Sequence, residues 1–92
     1  MEKRFVYFYL MKPARERIPQ VVPAHVAYWK KAHLKDYRGG PFADRTGGLI
    51  LFTAADLGIA KRIADNDPFV SDNLIEASWV KEWIQEQIQG AV

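Results

Sequence analysis

Short runs rich in β-branched and aromatic residues, apolar stripes of helical period set between them, and glycine–proline punctuation at the junctions predict an α+β fold. The order read along the chain is βαββαβ, the ferredoxin-like split arrangement, with a four-stranded antiparallel sheet. Ninety-two residues allow a single domain, here taken as residues 1–92. The first strand is residues 4–10, where Phe5, Tyr7 and Tyr9 alternate with Val6, Phe8 and Leu10, so both faces are apolar. After a loop carrying Pro13 and Pro19, Pro23 is expected to open the first helix, where its missing N–H costs nothing. That helix runs to about residue 35, with Val22, Val26, Trp29, Ala32 and His33 as its apolar stripe.

Asp36 to Pro41 leaves room only for a short second strand before glycine and proline end it. Gly47-Gly48 introduce a third, Leu49-Ile50-Leu51-Phe52, again apolar on both faces. Thr53 followed by Asp56 resembles a capping box and starts a second helix that ends near Asp65. Residues 74–83 alternate as a fourth strand, with Ile75, Ala77, Trp79 and Trp83 expected on one face, and residues 84–92 form a glutamine-rich tail without assignment. Two helices cover one face of four strands only. The apolar second face therefore predicts a homodimer in which two sheets pack face to face into a barrel-like core.

Composition narrows the function classes. No apolar run nears the roughly 18 residues of a membrane span, and the N-terminus carries no signal-peptide pattern. The chain has no cysteine, which excludes disulfides, thiolate metal sites and cysteine nucleophiles and points to the cytoplasm. The net charge of +2 reads as solubility; Lys30, Lys31, Lys35 and Arg38 read as solvated surface, with no nucleic-acid partner.

His25 stands out first. Placed in the first turn of a helix opening at Pro23, it meets the positive end of the helix dipole, which favours the neutral, proton-accepting imidazole. The bland alternative is a packed histidine bonded to backbone. Asp67, before Pro68, suits an N-cap over Phe69 and equally a carboxylate that orients His25. His25 and His33, eight helical residues apart, would lie about 12 Å from each other, too far to share a zinc ion, so no metal is expected. Trp29 and Tyr28 suit either core packing or stacking on a ring, and Gly39-Gly40-Pro41-Phe42 either a simple turn or a close backbone approach to a ligand.

Pro23-Ala24-His25 with Tyr28, Gly40-Pro41-Phe42, Gly47-Gly48-Leu49-Ile50-Leu51-Phe52 and Asp67-Pro68-Phe69-Val70 together resemble the YciI-like (YCII-related) family, over about Phe5 to Trp83. The resemblance implies a dimeric α+β barrel whose pocket holds His25 and Asp67 for acid–base chemistry. One branch of that family comprises dehydrochlorinases of hydroxylated aromatic rings, and the fold is similar to that of muconolactone isomerases. Val22 stands where the family commonly has an arginine, and Arg17 or Arg38 are the candidates to replace it.

The expectation is a small enzyme without cofactor. His25 and Asp67 would be catalytic, with Trp29, Gly40, Pro41 and Phe69 lining the site of a small cyclic or aromatic substrate undergoing isomerisation or elimination. The alternatives are a dimer that binds a small molecule without turnover, or a purely structural one whose own aromatics fill the pocket.

Overall fold

Alternation of large apolar residues drives the central strands, and the computed structural model, which describes residues 2–86, places them at the middle of one sheet. Its elements are β1 (Lys3–Met11), α1 (Arg17–Lys31), β2 (Arg38–Pro41), β3 (Gly47–Ala54), α2 (Leu57–Asp65), α3 (Pro68–Ser71) and β4 (Ile75–Glu82). The strands are antiparallel in the order β2-β3-β1-β4, giving the α+β, ferredoxin-like fold that the sequence predicts. No helix among the described residues is long and apolar enough to cross a membrane.

Phe5, Tyr7 and Tyr9 of β1 and Ile50 and Phe52 of β3 lie under the helices, all at most 4% exposed. Trp29 of α1 packs over Tyr7 and Phe52, with ring centroids 6.1 and 5.8 Å away. Ala60 and Ala64 let α2 approach the sheet closely, and Phe69 and Leu74 close the remaining side. Each large side chain so buried contributes about 1.5–3 kcal/mol of transfer free energy. On the opposite face Val6 pairs with Leu51 and Phe8 with Leu49, and Phe8 meets Phe42 and Trp79 at 5.1 and 5.4 Å. Trp79 is 48% exposed there.

Four expectations change. Helix α1 begins at Arg17, not at Pro23, and ends at Lys31. Pro19 falls in the first turn, where an N–H has no helical acceptor anyway. Pro23 sits inside the helix and removes one bond, to the Pro19 carbonyl, on an exposed flank where water can replace it. The earlier start also turns the stripe: Val21 and Trp29 are buried, whereas Val22 and Val26 are exposed. His33 lies beyond the helix end in the left-handed region, at φ 46°.

Thr53 belongs to β3, and Asp56 is itself the cap of α2, its Oδ1 accepting from Ile59 N at 2.8 Å. The single apolar face expected for β4 is split by a bulge. Leu10 pairs with Ala77 but Met11 with Ile75, so Glu76 is an extra residue. Ile75 thereby turns onto the helix-covered face while Trp79 stays on the other. Of the tail, residues 84–86 form no helix or strand, and 87–92 lie outside the described residues.

Candidate active site

The junction between α2 and α3 is set by Asp67-Pro68. Proline keeps the residue before it out of the helical region, and Asp67 is extended at φ −62°, ψ 133°, with Pro68 opening α3. Its Oδ1 accepts from Phe69 N at 2.7 Å, a capping bond. Its Oδ2 accepts from the Trp29 indole N–H at 2.8 Å and lies 2.7 Å from His25 Nδ1. The two readings of Asp67 are therefore compatible, one oxygen serving each.

Four residues separate His25 from Trp29 on α1, one helical turn, so both side chains reach the same carboxylate. Asp67 is fully buried, and the His25 side chain is 13% exposed. The indole and amide nitrogens can only donate, so the carboxylate is an acceptor throughout, and the network assigns the His25 proton to Nδ1. The neutral ring then carries its lone pair on Nε2. Phe69 stacks on the imidazole at 4.1 Å and 13°, which fixes the ring plane, and Tyr9 meets its edge at 6.1 Å. The helix-dipole argument for His25 falls with the new helix start, because His25 is the ninth residue of α1. What orients the ring instead is the buried Asp67 carboxylate at Nδ1, whose negative charge acts on the imidazole in the opposite sense to a helix N-terminus.

His25 borders a cavity of about 570 Å³ between α1 and the sheet. Trp29, Gly40, Pro41 and Phe69 line it too, while Asp67 lies behind the imidazole. Apolar walls come from Met11, Ile18, Val22, Val26 and Leu34. Trp29 is both a core residue, 3% exposed, and a hydrogen-bond donor that anchors the carboxylate. Tyr9 and Tyr37 also line the cavity. Burial pushes the Tyr9 hydroxyl up to about 12, with the Asp67 charge and Tyr37 adding to it. Burial and then Asp67 raise Tyr37 as well, so both hydroxyls remain donors at neutral pH.

The sequence reading missed Tyr9, Tyr37, Lys30 and Arg45 as lining residues. The excess of aromatics in β1 looked like core alone, and Arg45 carried no motif. Neither Arg17 nor Arg38 substitutes at the cavity for the arginine absent at Val22. Arg17 bonds Asp72 and Gln20, and Arg38 lines a separate, smaller groove with Arg4 and Trp83. Among the described residues no three His, Cys, Asp or Glu side chains converge on a common point.

Comparison with known proteins agrees with this architecture. A model of the YCII-related domain matches residues 4–84. Among solved structures, the chain is similar to the 5-chloro-2-hydroxyhydroquinone dehydrochlorinase TftG from Burkholderia phenoliruptrix AC1100, in complex with 2,5-dihydroxybenzoquinone. The TM-score is 0.76 and the identity 24%, over 90% of this chain and 95% of that one. That likeness shows a shared fold. No curated protein matches the sequence. The match over residues 4–84 covers nearly the whole length, and the chain belongs to the YCII-related domain family.

Proposed function

We propose that the chain is a small cytoplasmic enzyme acting without a cofactor, in which His25 moves a proton to or from a small cyclic or aromatic substrate. The observation that carries this reading is the Asp67 contact at His25 Nδ1, which leaves Nε2 as the proton acceptor beside the cavity. Asp67 orients the ring and stabilises the imidazolium that forms once a proton is taken. Apolar walls around the pair strengthen that attraction by keeping water away. In an elimination, Nε2 takes a proton from the ring compound while the leaving group departs with its bonding pair. In an isomerisation, the same imidazolium returns the proton to another atom.

TftG, which shares the fold, is named for a chlorinated, hydroxylated ring substrate, and this supports testing the same class here. The test is chloride release from 5-chloro-2-hydroxyhydroquinone by the wild type and by His25→Asn. The expected result is turnover that falls by at least about 100-fold in His25→Asn, the usual worth of a positioned acid–base group. Equal chloride release by the two proteins would overturn the proposal. Ring binding without turnover across a panel of hydroxylated rings would leave the non-catalytic binding dimer as the better reading.

A homodimer through the open sheet face is part of the same proposal. Phe8, Leu49, Leu51 and Trp79 form an apolar patch on a face that no helix among the described residues covers.

A further inference from the structure

The two formally charged side chains on the cavity lining, Lys30 and Arg45, are both cations, and the buried Asp67 lies behind the lining. Lys30, His33 and Arg45 all line the cavity, and among the described residues no lining side chain is an aspartate or glutamate. All three are exposed, which puts them at the mouth, whereas Asp67 is buried behind His25. Among the described residues, no carboxylate lies within ion-pair distance of Lys30 or Arg45, which leaves both able to meet an anionic ligand. The nearest acid in sequence, Asp44, turns its Oδ1 to Thr46 N and Thr46 Oγ1 at 3.1 and 2.7 Å and forms no ion pair with Arg45.

Arg45 is also held in an unusual backbone state, left-handed at φ 64°, by its N–H bond to Phe42 O at 2.9 Å.

We infer that the cavity takes ring compounds bearing a negative charge, with Arg45 and Lys30 holding the anionic group at the mouth and the ring lying against Phe69 beside His25. This deepens the acid–base reading and rests on the same cavity. The orientation follows from electrostatics. The buried Asp67 charge repels an anion from the inner end, and the two cations attract it to the outer end. The uncharged edge of the ring is thereby turned toward His25. Arg45 is delivered to the lining by the β2–β3 loop, and Lys30 by α1.

Equilibrium binding of 2,5-dihydroxybenzoate and of its neutral amide, 2,5-dihydroxybenzamide, tests the inference. It is measured by calorimetry on the wild type, Arg45→Gln, Lys30→Gln and His25→Ala. Each exposed cation is worth about two- to fivefold in affinity, so the acid binds the wild type about tenfold more tightly than the amide. Each glutamine variant loses two- to fivefold for the acid and nothing for the amide, and added salt narrows the gap. Equal wild-type affinities for the two probes, binding of neither, or a preference unchanged in Arg45→Gln would overturn the inference. His25→Ala keeps the preference for the acid. A protein that shows this preference but turns over no substrate would sink the acid–base reading alone.

Discussion

Asp67→Asn is the most informative single change, because it keeps the shape of the side chain and removes one acceptor. Three donors converge on the carboxylate: Phe69 N–H on Oδ1, and the Trp29 indole N–H and His25 Nδ1 on Oδ2. Asparagine offers one oxygen and one NH2 group. If the oxygen faces Trp29 and His25, the amide NH2 opposes Phe69 N–H and the cap of α3 is lost. If the oxygen faces Phe69, the NH2 opposes the indole N–H, and the imidazole must accept at Nδ1 and move its proton to Nε2. Either way one buried donor goes unsatisfied, at about 1–3 kcal/mol, and the remaining bonds lose their charge assistance. We expect a loss of about 2–3 kcal/mol of unfolding free energy. That is a large share of the roughly 5–15 kcal/mol typical of a domain. Urea denaturation measures it as a lower midpoint with an unchanged slope. Ring ¹⁵N shifts of His25 report the tautomer, and turnover falls by orders of magnitude, about 10⁴ in a comparable buried His–Asp pair. A stability change below about 0.5 kcal/mol together with an unaltered tautomer would refute the network drawn here.

The remaining expectations use different readouts. All four tyrosines are raised above their ordinary value of 10.0, each chiefly by burial. Phenolate absorbance of the native protein should accordingly show no step near pH 10. The folded state holds these protons more tightly than the unfolded one, so their stabilising contribution is complete below pH 10 and is lost as pH rises toward about 12 for Tyr9. Thermal melts across pH 9–12 should fall on that limb, and a flat profile would contradict the burial. At Gly48 any Cβ would collide with the Tyr9 hydroxyl and sit 2.9 Å from the Gly40 carbonyl. Gly48→Ala should therefore cost about 1–3 kcal/mol of stability and weaken ring binding, checked by denaturation and calorimetry. Trp79→Arg, on the open face beside Phe8, should give a folded monomer in sedimentation; a wild-type profile in that variant would place the dimer contact elsewhere.

What the sequence alone determined is local in origin. Alternation in β1 and β3 depends on neighbours two residues apart, so both apolar faces were legible without knowing what covers them. The Asp67-Pro68 stop is likewise a property of adjacent residues, and it located α3 and the capping carboxylate. Tertiary structure decided the rest. A proline inside a helix costs one bond, and packing of Val21 and Trp29 on the sheet outweighs that cost, so α1 starts six residues before Pro23. The bulge at Glu76 is set by pairing with β1, which no pattern within β4 reveals. His25 and Asp67 are 42 residues apart and meet because α1 and α3 pack side by side. Arg45 reaches the cavity, while Arg17 and Arg38 do not, through the path of a loop whose position depends on the sheet. Short-range preference writes the elements, whereas contacts between residues distant in sequence choose which side chains share a cavity.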